Sequence, residues 1–175
     1  MPVNIYGGGA TTNQNGLAFE QETSLRTAFE NQGYTVVNSE VFLNMNLKGM
    51  ITSKHGLYRD ILIPNNILWS EILSKQLLPD EVFYNYSNRT IYIIEKKFQA
   101  AAGSVDEKLQ TCDFKKRQYQ KLLRDMNVTV EYIYVVNEWF DHPSYNDVKE
   151  YISLVGCRYY TRILPLEALG LLEDI

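Results

Sequence analysis

The sequence predicts an α/β fold: one domain with a central mixed β-sheet flanked by helices. Three observations predict it. An opening amphipathic segment reads as a helix. Two apolar segments, residues 81–86 and 90–98, flank the turn signal Ser87-Asn88-Arg89 and read as a hairpin. A nearly continuous apolar, β-branched run follows at residues 128–137, between two helical patterns, as a buried central strand requires. A helix, then a hairpin-bearing sheet, then alternating helix and strand is the pattern of a single α/β domain. The length of 175 residues suits that reading, because a chain of about 150 residues can bury a full core.

The elements follow in order. Residues 1–14, with Gly7-Gly8-Gly9 and the polar run from Asn13, read as a flexible arm; residues 15–175 form the domain. Residues 17–31 read as a helix whose stripe is Ala18, Leu25, Ala28 and Phe29, ended by Gln32-Gly33. A short strand follows at 34–37. Between 40 and 76 the pattern is weaker: 60–63 reads as a strand stopped by Pro64-Asn65-Asn66, and 67–77 as a helix capped by Asn66. After the hairpin, 100–104 is a linker, 105–126 a long helix, 147–155 a helix, 157–164 a strand and 165–172 a closing helix.

Composition narrows the function classes. Hydrophobic residues make up 45% and charged residues 22% of the chain, as in ordinary globular proteins. No apolar run approaches the roughly 20 residues that span a bilayer, so no membrane association is expected. The polar, Gly-rich N-terminus is unlike a secretory signal. Cys112 and Cys157 lack metal-ligand spacing and suggest no disulfide framework, so a reducing, cytoplasmic location is expected. The net charge of −4 counts against a general nucleic-acid binder. A local basic cluster runs from Lys108 through Lys115, Lys116, Arg117 and Lys121 to Arg124. As a pattern it reads first as a solvated helix face, with phosphate contact as the alternative.

The chemistry is concentrated on the hairpin. Side chains alternate along a strand, so Glu95 and Lys97 share a face and Lys96 points the other way. Asp80 precedes the first hairpin strand, and a pairing centred near Asn88 brings it toward Glu95 and Lys97. Two facing carboxylates at 4 Å repel by roughly 4 kcal/mol at an effective dielectric of about 20. A lysine or a bound dication relieves that repulsion, and oxygen-only ligands suit a hard ion such as magnesium. A metal there lowers the pKa of bound water and neutralises a phosphoryl oxygen. A lysine can orient the attacking water and stabilise the transition state. Phosphodiester hydrolysis needs these parts and no histidine.

The spacing Pro79-Asp80 … Glu95-Lys96-Lys97 resembles the motif of the PD-(D/E)XK nuclease superfamily, which includes many type II restriction endonucleases and the archaeal Holliday-junction resolvases. The opening Gly16-Leu17-Ala18-Phe19-Glu20, with Leu25, Phe29 and Gly33-Tyr34-Thr35-Val36-Val37, is similar to that family's helix-to-strand start. The resemblance spans roughly residues 15–136. It implies a restriction-endonuclease-like core, Mg2+ as cofactor, Asp80 and Glu95 as metal ligands, Lys97 as the catalytic lysine and Glu20 completing the metal shell. Gln99, on the Glu95 face, would contact the scissile phosphate. Glu22 is an alternative to Glu20, and Glu81 and Asp60 are alternatives for the first carboxylate.

The stretch from Gly103 to Gln110 resembles a segment of some restriction-type members, in which the next helix follows the DNA backbone. That points to a magnesium-dependent type II restriction endonuclease or its small cleaving subunit. Double-stranded DNA is the implied substrate. Cutting both strands takes two active sites, so a homodimer or a larger DNA-recognising partner subunit is implied. A structure-specific nuclease of the junction-resolvase or repair type, and a non-catalytic binding module on the same fold, are the competing readings. Residues 40–76 lie outside the minimal core and are expected to serve sequence recognition or a partner surface.

Overall fold

A computed structural model describes residues 16–101 and 103–171; the arm expected at 1–14 lies outside the described residues. In chain order the elements are β1 (Gly16–Ala18), α1 (Leu25–Asn31), β2 (Thr35–Val37), β3 (Glu40–Leu43), β4 (Asn46–Thr52), β5 (Glu81–Asn85), β6 (Thr90–Lys97), α2 (Val105–Leu109), α3 (Cys112–Leu122), β7 (Thr129–Val136), α4 (Asn146–Leu154), β8 (Arg158–Thr161) and β9 (Ile163–Pro165). Strands β2 to β8 form one seven-stranded sheet in sequence order, and β1 pairs with β9. From β2 to β6 each pairing is antiparallel. The β6–β7 and β7–β8 pairs are parallel, because α2–α3 and α4 carry the chain back across the sheet. This is the mixed α/β architecture the sequence predicts.

Alternation fixes which side chains go where. Ile91 and Ile93 of β6, with Val130, Tyr132, Tyr134 and Val136 of β7, join the cluster that includes Tyr119 and Leu122 of α3. Tyr92, Ile94, Ile133 and Val135 face the opposite way and meet Leu25 and Phe29 of α1 and Leu164 of β9. Helices thus cover one sheet face, while α1 and the C-terminal segment cover the other. Burying both faces explains the nearly unbroken apolar runs of β6 and β7. Gly49 is required where β4 meets β5, since a Cβ there would lie 2.0 Å from the Tyr84 carbonyl oxygen. Among the described residues no helix is long and apolar enough to cross a membrane.

Several expectations are corrected. The helix predicted over 17–31 is only α1. Leu17 pairs with Leu164 in β1–β9 instead, and the Ser24 hydroxyl accepts the Thr27 amide at 3.1 Å, starting the helix there. The strand predicted at 60–63 is instead the end of a π-helical turn at Leu57–Leu62 and the start of a 3₁₀ turn at Ile63–Asn65. The apolar residues Leu57, Ile61 and Leu62 are spaced to bury against the sheet from a helix. The helix predicted over 67–77 reduces to one 3₁₀ turn at Trp69–Glu71, and Asn66 adopts φ +56, closing the preceding turn rather than opening a helix.

The long helix predicted over 105–126 is broken between α2 and α3 at Gln110-Thr111. The closing helix predicted over 165–172 is a 3₁₀ turn at Leu166–Leu169, stopped by Gly170 at φ +68. Pro165 belongs to β9. Strands β3 and β4, unforeseen in the weak stretch, extend the antiparallel side of the sheet.

Candidate active site

The register of the β5–β6 hairpin builds the site. Glu81 pairs with Ile94 and Val82 with Ile93, so Asp80, one residue before β5, stands across from Glu95. Directly opposed residues on antiparallel strands project to the same face. That is the face of Val82 and Ile93, beneath α3. The Asp80 carboxylate is held in place by the backbone amide of Lys96, which donates to its Oδ2 at 3.0 Å. Asp80, Glu95 and Lys97 therefore converge at the C-terminal end of β6.

Lys97 spans the two carboxylates. Its Nζ lies 3.1 Å from Glu95 Oε2 and 3.7 Å from Asp80 Oδ2, and 3.3 Å from the Lys96 carbonyl oxygen. Three oxygens thus surround one cation. An all-oxygen set around a positive charge is the donor chemistry of a magnesium site, so Asp80 and Glu95 fit that ion, with the ammonium standing in for its charge. Among the described residues no group of three His, Cys, Asp or Glu side chains is close enough to hold a metal by itself. Any further ligands would be backbone carbonyl or water, as is common for magnesium.

The two carboxyls titrate apart. Burial raises the Glu95 pKa, and Lys97 only partly counters it. At Asp80 burial also acts upward, but Lys54, the Lys97 charge and the Lys96 amide together outweigh it and hold the group below the usual carboxylate range. Neighbouring cations thus favour the ionised form of Asp80, and burial favours the protonated form of Glu95. Buried Tyr119 and Tyr132 lie beneath Glu95; burial, reinforced by the Glu95 charge, raises the pKa of both, so their rings present a neutral floor.

The other candidates separate clearly. Glu20 is not brought to this group. It precedes α1 rather than riding on it, its side chain is 77% exposed, and its carboxylate pairs with Arg162, which also binds Glu138. Glu22 instead lines a small cleft with Gln21, Asp80, Lys96 and Phe98. Glu81 projects to the opposite sheet face, where its Oε1 accepts the Leu25 amide at 3.1 Å and lies 3.6 Å from Lys96 Nζ. Asp60 is engaged by Arg59 and by the Thr52 hydroxyl.

Gln99 is buried just beyond Lys97. Its backbone is clasped by the Asn137 side chain, which accepts the Gln99 amide at 3.1 Å and donates to its carbonyl at 2.6 Å. This side chain continues the parallel β6–β7 ladder past the end of both strands. The Gln99 Oε1 has no hydrogen-bond partner.

One cation, Lys54, escaped sequence reasoning, and Lys115 of the basic cluster reaches further than expected. Lys54, in the loop after β4, binds the second Asp80 oxygen, and its own amide donates to the Pro79 carbonyl at 2.8 Å. Lys115 of α3 acts electrostatically on Glu95. Nothing local marks Lys54, which lies 26 residues from Asp80. The rest of the basic cluster is largely engaged: Lys116 binds the Gly156 carbonyl and Glu131, and Arg117 binds Asp113. The solvated helix face expected first holds in part: Lys108, Arg117, Lys121 and Arg124 are exposed, while Lys115 and Lys116 are half-buried.

A family model described as a PD-(D/E)XK nuclease superfamily domain matches residues 11–128, more than half of the chain and the whole of the segment from Asp80 to Lys97. No curated protein and no solved structure matches.

Proposed function

We propose that this chain, which belongs to the PD-(D/E)XK nuclease superfamily, is a magnesium-dependent endonuclease hydrolysing phosphodiester bonds in double-stranded DNA. Nucleases of this superfamily generally use divalent metals such as magnesium. The observation that carries the reading is the placement of Lys97 Nζ between Glu95 Oε2 and Asp80 Oδ2. Asp80 and Glu95 would hold the ion, and Glu22, which lines a cleft with Asp80, would reach it through water. When bound, magnesium supplies a water of lowered pKa and neutralises charge on a phosphoryl oxygen. Lys97 orients the attacking water and stabilises negative charge on the phosphoryl group as the P–O bond breaks. Gln99, whose backbone Asn137 holds just beyond Lys97, would contact the scissile phosphate through its side-chain amide nitrogen, which otherwise donates to the Ala101 carbonyl at 2.7 Å.

Within that class the reading is a type II restriction endonuclease or its cleaving subunit, acting in the cytoplasm. The net charge of −4 supports shared DNA grip, from a second copy or a larger recognition subunit. Plasmid DNA incubated with magnesium tests this, with the chain alone and with a genetically adjacent partner. Discrete fragments or a sequence-specific nick are expected, with loss of about 10²- to 10⁴-fold in rate for Lys97→Ala. Cleavage confined to four-way junctions assigns a structure-specific nuclease instead. No cutting under any condition, with Lys97→Ala indistinguishable from the parent, removes both nuclease readings in favour of a binding module.

A further inference from the structure

Beside the site lies a second, polar cleft of ≈ 500 Å³. It runs between α1, the end of β4 and the π-helical turn. Its rim carries Arg26, Lys54, His55 and Arg59, with hydroxyls from Ser24 and Ser53. In a chain of net charge −4, cations gathered in one cleft are a local departure from the average. Both acids in the cleft are already engaged. Asp60 is neutralised by Arg59, whose Nε and Nη2 donate to its two oxygens at 2.6 and 2.8 Å. Glu81 is occupied by the Leu25 amide and Lys96. Arg26 donates to the Val36 and Asn38 carbonyls, which position its guanidinium, and its one carboxylate contact is an exposed i,i+4 pair with Glu30 at 3.6 Å, a weak pairing that a phosphate can replace.

Lys54 joins this cleft to the site, since it lines the cleft and its ammonium pairs with Asp80. The loop that carries it packs tightly on the end of β4: a Cβ at Gly56 would lie 1.9 Å from Thr52 Oγ1. We propose that this cleft receives the phosphodiester backbone next to the scissile phosphate, with Lys54 and Arg26 as its cationic contacts and Arg59 shielding the phosphates from Asp60. The inference rests on the nuclease reading and adds to it a binding track on the α1 side of Asp80.

Salt-dependent binding of a labelled duplex of random sequence tests the proposal. The full chain carrying Lys97→Ala serves as the parent in magnesium buffer, so that DNA is held without being cut. Each phosphate contact contributes about 0.9 to the slope of log affinity against log salt. Lys54→Gln is expected to lower the slope by about 0.9, and Lys54→Arg to keep it. Arg59→Gln weakens binding, and adding Asp60→Asn to it restores binding, because the uncovered carboxylate is then removed. Lys121→Gln, at the far end of α3, and Arg124→Gln, in the 3₁₀ turn after it, leave the slope unchanged. Melting temperatures matched to the parent exclude misfolding as the cause.

An unchanged slope in Lys54→Gln, or no restoration by Asp60→Asn, overturns the proposal. If the Lys97-bearing chain still cuts DNA in that case, the nuclease reading survives alone. Absence of both duplex binding and cleavage overturns the two together.

Discussion

The carboxylate of Asp80 accepts the backbone amide of Lys96 at 3.0 Å. The first half of the motif is thereby bound to the main chain of the second. A backbone donor cannot be removed by a side-chain change, so the distance between Asp80 and the end of β6 is set by the hairpin itself. Lys97 completes the arrangement by sharing its ammonium between Asp80 and Glu95.

Burial makes Glu95 costly to ionise in the folded protein. Its folded pKa lies above the unfolded value of about 4.3. The stabilisation from holding the proton is therefore full below that unfolded value and is lost as pH rises through the folded pKa. Glu95→Gln mimics the protonated form. Without metal it is expected to melt above the parent at about pH 8 and level with it at about pH 4, while losing magnesium-dependent cleavage. A variant less stable than the parent at the higher pH would mean that the Lys97 pairing outweighs burial.

The placement of Glu20 on Arg162 and of Glu22 beside Asp80 separates two residues the sequence left as alternatives. Glu22→Gln is expected to lower cleavage and raise the magnesium concentration needed for half-maximal rate. Glu20→Gln should leave both near the parent values. A magnesium titration of each variant on the same substrate decides, and the reverse order would restore Glu20 to the metal shell.

The Asn137 side chain meets the site through the Gln99 backbone. Asn137→Ala strips partners from the Gln99 amide and carbonyl, a loss of about 1–3 kcal/mol. Turnover should fall with little change in KM, because the backbone carrying Lys97 loosens while the substrate grip elsewhere persists. A proportional loss of stability with unchanged turnover would assign Asn137 a structural role only.

Gly49→Ala forces a methyl group against the Tyr84 carbonyl. Overpacking against backbone cannot be relieved by a rotamer change, so destabilisation of about 3 kcal/mol or more is expected. Chemical denaturation would read it as a lower midpoint with an unchanged slope.

The hairpin, the central strand β7 and the convergence of Asp80, Glu95 and Lys97 were legible because each is written in neighbouring residues. Alternation places Glu95 and Lys97 on one face, and a turn of four residues between Asn85 and Thr90 sets the register. The opening helix misled because Ala18, Leu25, Ala28 and Phe29 form a helical stripe that includes a residue of β1. No local pattern reveals that Leu17 pairs with Leu164. The stretch from 40 to 76 was opaque for a similar reason: β3 and β4 earn their stability from the strands beside them, and short strands carry weak propensity of their own.

The sequence by itself determined the α/β class, the hairpin and the chemical type of the site, since these depend on residue spacing within one or two adjacent elements. Only the tertiary structure decided which glutamate stands near Asp80, that Glu81 serves α1, and that Lys54 shares Asp80 with Lys97. Those choices depend on contacts between distant segments, where the cost of closing the loop is offset by packing that no local window of sequence displays.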